Sequence, residues 1–172
     1  TTEIYTLSLH DALPIFLQLV QLGVPNVVAL SGTALADKHA AQIRKFASKV
    51  YLAYDGDDAG INATLRAGYV LLQAGVEPLI IAVPPNQDPD NWVRDEGIGP
   101  FQEAMGAGIP LLSFHLEKKE ARNLSGTDRS QLVQDILGEV ARISDGIVRD
   151  DILKSLAQKL DEIGRASCRE RV

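Results

Sequence analysis

The stretch Val50-Tyr51-Leu52-Ala53-Tyr54-Asp55-Gly56-Asp57-Asp58-Ala59-Gly60 decides how this chain is read. Its first five residues form a β-branched and aromatic apolar run, its middle is acidic, and the residues beyond Ala59 carry apolar side chains at helical spacing. A strand that ends in carboxylates and passes into a helix puts acidic groups at the C-terminal edge of a sheet. That edge is where open α/β sheets bind their ligands. Asp55 and Asp57, one residue apart, can offer hard oxygen ligands to a single cleft, which suits Mg²⁺ and the phosphates that travel with it. A turn built from Asp and Gly accounts for the same residues without any chemistry. On the local sequence alone both readings stand.

Outward from this stretch, strand-like and helix-like segments alternate. Leu17–Leu22 ends a helix closed by Gly23, and Asn26–Leu30 is a strand followed by a tight loop at Ser31-Gly32-Thr33. A helix is expected from about Asp37 to Phe46, with Ile43 and Phe46 on its buried side. A longer one runs from about Ala59 to Gln73, with Leu65, Tyr69 and Leu72 in line and Gly75 as its stop. The strand Pro78–Val83 follows. Near-continuous apolar strands between amphipathic helices predict a parallel sheet covered on both faces. After about residue 100 the pattern becomes helical, over 100–107, 110–122, 129–143 and 148–160. Leu132, Ile136 and Val140 make one stripe and Ile152, Leu156 and Leu160 another, which predicts a small all-helical subdomain.

A second acidic pair, Asp88-Pro89-Asp90, follows the strand at 78–83 and therefore belongs to the same sheet edge as Asp55 and Asp57. Four carboxylates converging there repel one another unless cations sit among them or the loops splay them into water. His39 is expected on an exposed helix face, His115 beneath the helical subdomain, and Trp92 as a loop anchor.

Composition limits the alternatives. The chain has 172 residues, 45% of them apolar, a net charge of −6 and a single cysteine, Cys168. This describes one sizeable core with an appended unit and a reducing, cytoplasmic setting. No apolar run is long enough to span a bilayer, and the acidic balance argues against a long electrostatic track for nucleic acid. The two ends read differently from the rest. Thr6–Ile15 translates back into an oligonucleotide whose reverse complement, in a shifted frame, encodes Ile163–Arg171. This resembles a sequencing-library adapter, so residues 1–15 and 162–172 are expected to be non-native, and Cys168 and His10 carry no meaning.

Within 16–161 the order of motifs resembles the Toprim domain of bacterial DnaG-type DNA primases. The matching stretches are ALSGTAL at 29–35, YDGDDAG at 54–60, Ala63-Thr64-Leu65-Arg66-Ala67, and DPDNWVRDEG at 88–97. IPLLSFHL at 109–116 and RDDILKSLAQKL at 149–160 resemble the helical subdomain that follows it. The most specific element is the DGDxAG signature with a DPD at this distance; topoisomerase and gyrase relatives carry longer acidic signatures. The resemblance implies a Toprim domain at 16–99 and a helical subdomain at 100–161. It also implies synthesis of RNA primers on single-stranded DNA from ribonucleoside triphosphates with Mg²⁺ or Mn²⁺. Asp55 and Asp57 would be catalytic metal ligands. Asp88 and Asp90 would hold a second ion or orient the nucleotide. On the residues alone, Arg66 and Arg94 can reach nucleotide phosphates or serve equally in surface salt bridges. Another Toprim enzyme, a topoisomerase or nuclease, and a non-catalytic Toprim binding module are the alternatives.

In that family a strand ending in Glu-Gly-Tyr-Met-Asp precedes the position of Phe16, and its Glu completes the metal site. Counting back from Gly23, that Glu falls near Asp11. The chain is therefore expected to lack the sheet's first strand and its third acidic ligand, to bind metal weakly and to be inactive alone. The zinc module, the template-gripping upstream subdomain and the tail that binds the replicative helicase are expected to lie outside it, and no membrane association is implied.

Overall fold

The computed structural model describes residues 3–9, 12–24, 26–31 and 34–169. It divides into two compact units, Thr1–Leu111 and Leu112–Val172.

The first unit is built on a five-stranded sheet in the order β2-β1-β3-β4-β5. Strands β1 (Glu3–Leu9), β2 (Val27–Ser31), β3 (Lys49–Ala53) and β4 (Glu77–Ile80) are parallel, and β5 (Ile109–Pro110) runs antiparallel to β4. The expected all-parallel sheet is thus a mixed one, because the chain returns along the β4 edge before leaving the unit. Helices α1 (Ala12–Gln21), α2 (Asp37–Ile43) and α3 (Asp58–Gln73) connect the parallel strands, and α4 (Pro89–Glu96) and α5 (Ile98–Gly106) follow β4.

The sequence predicts a sheet without its first strand; instead, Glu3–Leu9 fills that place. It pairs with β2 from Tyr5↔Val27 to Leu9↔Ser31 and with β3 from Glu3↔Lys49 to Leu7↔Ala53. The physical reason lies in what a central parallel strand must supply, namely backbone donors and acceptors on both edges and residues that tolerate extended backbone. Glu3-Ile4-Tyr5-Thr6-Leu7-Ser8-Leu9 meets both conditions.

The core of this unit gathers Ile15, Leu19, Val24, Val27, Ala53, Ile81, Trp92, Val93 and Phe101. Phe101 is fully buried and meets Trp92 edge to face at 5.7 Å. That contact, together with the pairing of β5 with β4, is why the boundary between units falls after Leu111 and not at the expected 99/100. Trp92 sits on a helix, not in a loop, since Asp88 caps α4 and Pro89 occupies its first turn. Phe46 is another departure. After Ile43 the backbone turns, with the Phe46 N–H donating to the Ile43 carbonyl at 2.9 Å, and the ring is left 68% exposed. Ala40, Ile43 and Ala47 supply the buried face instead.

The second unit takes in most of α6 (Leu111–Lys118) and all of α7 (Gly126–Val140) and α8 (Gly146–Arg169). The stripe Leu132, Ile136 and Val140 is buried as expected, as is Leu156 on α8. Helix α8 is longer than expected and continues to Arg169. The Arg129 guanidinium ties down the turn between α6 and α7. It donates to the carbonyls of Ala121, Arg122 and Leu124 at 3.1, 3.3 and 3.2 Å. His115 is buried, and its pKa is pushed down to about 4, chiefly by burial and then by Lys119, against an opposing pull from Asp135.

Candidate metal centre

Strand order reverses direction between β1 and β3, which makes the crevice at their C-terminal ends the topological switch point of the sheet. Asp55 stands two residues beyond the end of β3, at that crevice. Its Oδ1 is buried and has no hydrogen-bond partner among the described residues. Its pKa is raised from 3.8 to about 6, first by burial and then by the charges of Asp57 and Asp88. A carboxylate held this way lacks a compensating positive charge.

Its neighbours are committed to different degrees. Asp57 is the N-cap of α3, with one oxygen accepting from the Gly60 N–H at 2.7 Å. Asp88 is the N-cap of α4. It accepts from the Asn91 N–H at 2.8 Å with Oδ1, and Oδ2 accepts from the Asn91 side-chain amide. Asp90 lies in the first turn of α4 and is ion-paired with Arg94. The structure therefore brings Asp55, Asp57 and Asp88 into electrostatic contact, and it holds Asp90 to its own helix.

The two acidic loops are joined through the backbone. The Gly56 N–H donates to the Gln87 carbonyl at 2.8 Å, and the Asn86 N–H donates to the Gly56 carbonyl at 3.2 Å. A Cβ on Gly56 would lie 2.0 Å from the Pro84 carbonyl oxygen, and one on Gly60 would lie 2.2 Å from that of Asp55. Only glycine permits either approach. Nothing in the sequence by itself marks Asn86 and Gln87 as partners of Gly56. The available signal was the turn composition of Pro84-Pro85-Asn86, which marks a turn but not its partner.

Other expected residues fall elsewhere. Arg66 is exposed on α3, two turns below its start, about 12 Å along the axis from Asp58. Arg94 is occupied by Asp90, and its Nη1 also donates to Asn91. His39 is part of a helix start, its Nδ1 accepting from the Ala36 N–H at 3.3 Å. Asp11, where the third acidic ligand is expected, lies outside the described residues, as do Gly32 and Thr33. Among the described residues no group of three or more His, Cys, Asp or Glu side chains is gathered as a ready-made metal cage. The fit to a divalent cation rests on the unpartnered buried oxygen of Asp55 and on the oxygen-only character of the donors nearby.

The sheet with this acidic edge at its switch point is matched by the Toprim-like family model over residues 15–93, which makes it a Toprim-like domain. A second model, the DnaB-helicase binding domain of primase, matches residues 118–161. The DNA primase of Clostridium acetobutylicum is 34% identical over 145 residues, 83% of this chain and 24% of the relative. Of the solved structures, the zinc-binding and RNA polymerase domains of Aquifex aeolicus primase align with a TM-score of 0.71 at 28% identity, over 91% of this chain and 37% of that one. The catalytic core of E. coli primase aligns with a TM-score of 0.76 at 24% identity, over 93% and 52%. The chain belongs to the bacterial DnaG-type DNA primases and spans about a quarter of the length of the curated relatives it matches. The helicase-binding tail is expected outside this chain, whereas this second family model falls within it at 118–161. No helix among the described residues is long and apolar enough to cross a membrane.

Proposed function

We propose that this chain carries the cation-binding part of the RNA polymerase core of a DNA primase, which builds short RNA primers on single-stranded DNA from ribonucleoside triphosphates. The observation that carries this is Asp55, a part-buried carboxylate at the switch point with an unpartnered oxygen and two acidic neighbours. Asp55 and Asp57 would hold Mg²⁺ or Mn²⁺. Held there, such a cation would supply activation of a 3′-hydroxyl and neutralisation of charge on a departing pyrophosphate. Asp88 supports the site by its charge and fixes the start of α4, and Asp90 acts through its pair with Arg94. The N–H groups opening α3 favour negative charge on an incoming nucleotide.

The third acid of the site would come from the position of Asp11, where the oligonucleotide-like end has replaced the family's own residues. For that reason the chain by itself is proposed to bind cation weakly and to make no primers. Zinc belongs to a separate module, like the one solved together with the polymerase domains in the Aquifex aeolicus primase. Residues 118–161 would face the replicative helicase, as the family match suggests.

Calorimetric titration with Mn²⁺ tests the site. The unmodified chain is expected to bind and Asp55→Asn to lose binding; flat heats in both would leave only an acidic turn. Primer formation on single-stranded template by this chain alone would overturn the proposed inactivity.

A further inference from the structure

We propose that the backbone clasp at Gly56 sets the cation affinity of the acidic edge, with Gly56 and Asn86 as positioning residues. This rests on the cation reading above and goes beyond the carboxylates themselves. Asp55 and Asp57 leave β3, whereas Asp88 follows β4, so the distance between them is a property of two separate loops. A pair of hydrogen bonds at Gly56, given to Gln87 at 2.8 Å and accepted from Asn86 at 3.2 Å, ties those loops together. The Gln87 Oε1 is buried beside this clasp and has no hydrogen-bond partner among the described residues.

The clasp is stiff for a reason visible in its atoms. The Pro84 carbonyl, which a Cβ on Gly56 would meet at 2.0 Å, already accepts from the Gln87 N–H at 3.2 Å. It cannot yield without opening the 84–87 turn. Asn86 keeps that turn closed in the left-handed region at φ 58°, which asparagine tolerates and alanine resists. Asp88 follows directly and is bound to α4 through Asn91, so any shift of the turn is carried to its carboxylate.

The test is Mn²⁺ titration of the full chain and of Gly56→Ala, Asn86→Ala and Asn86→Gly, with thermal unfolding followed by Trp92 fluorescence. None of these changes removes a carboxylate. Gly56→Ala is expected to weaken Mn²⁺ binding by about 10-fold to 100-fold, the range seen when groups that orient ligands are lost. Asn86→Ala should weaken it less, and Asn86→Gly, which adopts the same φ freely, should restore affinity to within about twofold of the unmodified chain. A folded Gly56→Ala with unchanged affinity overturns the proposal. If that variant does not fold, the two Asn86 variants decide, and equal affinities for them overturn it. An unmodified chain that takes up no Mn²⁺ refutes the cation site, and the clasp's role falls with it. Loss of binding in Asp55→Asn but not in the clasp variants refutes the clasp alone.

Discussion

Replacing Asp55 with asparagine should make the cation-free protein more stable. The carboxyl of Asp55 is pushed from 3.8 to about 6 by burial and by Asp57 and Asp88. A group whose pKa is higher in the folded than in the unfolded chain binds its proton more tightly when folded. Its ionisation therefore costs stability progressively as pH rises through this window, and the full cost is present above it. A shift of this size corresponds to about 3 kcal/mol for a carboxyl cut off from water. Asp55 is only part-buried, and solvent screening brings the expected gain for Asp55→Asn to about 1 kcal/mol. In a unit of this length that is a rise of about 4–8 °C in Tm. Trp92, the single tryptophan and 5% exposed within the same unit, reports the transition directly. With chelator present, at about pH 8, the variant should melt later than the unmodified chain; near pH 4 the two should converge. With Mn²⁺ at about 100 times its Kd the order should reverse, because binding adds about 2.7 kcal/mol to the unmodified chain only. A variant that melts earlier in chelator, or gains equally from Mn²⁺, would refute the account of Asp55 as a carboxylate lacking its counter-charge.

The helical unit should be acid-labile through His115. Its pKa is lowered to about 4 when folded against 6.5 when exposed, so stability is full above 6.5 and falls as pH drops from there toward 4, by up to about 3 kcal/mol. Far-UV circular dichroism of His115→Gln should show that slope flattened. Arg129→Met keeps the aliphatic stem but frees three carbonyls of the 121–124 turn, with an expected loss of about 2 kcal/mol read as a lower urea midpoint. Thr6→Pro removes a backbone donor from the interior strand β1 at the register position opposite Val28 and Leu52. It should cost about 3 kcal/mol or more in Trp92-monitored unfolding; an unchanged curve would mean that Glu3–Leu9 does not build the sheet.

Much of the first unit could be read from the sequence because its elements obey local rules. The run at 49–54 and the stripe Leu65, Tyr69 are governed by periodicity, and Gly75 stops α3 by adopting φ 79°. Asp55, Asp57 and Asp88 could be placed at one edge because strand ends in a parallel sheet share a direction. The sequence did not disclose how each carboxylate spends its lone pairs. Asp57 and Asp88 cap helices and Asp90 pairs with Arg94, and only three-dimensional geometry leaves the Asp55 Oδ1 without a hydrogen-bond partner among the described residues. Helix α4 was hidden by its own capping chemistry, since Asp-Pro-Asp reads equally as a turn or as an N-cap followed by proline at the first helical position. Phe46 fell outside its helix because α2 ends three residues earlier, where no glycine or proline marks the stop.

The first strand separates what a fold asks of a sequence from what chemistry asks. Pairing between parallel strands is made by main-chain groups, so a segment of suitable length and β-tolerant composition can stand between β2 and β3 whatever its origin. Tolerance of that kind averages over residues. A metal ligand is a single side chain at one position, and no average property supplies it; the acid at position 11 is proposed to belong to the oligonucleotide-like end and not to the family's motif. Residues 16–161 contain Asp55, Asp57 and the Gly56 hydrogen bonds proposed to set their distance from Asp88, whereas the strand beside them is held by main-chain pairing. On this proposal the sheet holds its shape without the third acid, and the two are separated experimentally by restoring glutamate at the end of β1 in its family context: Mn²⁺ affinity should rise while Trp92-monitored stability stays unchanged.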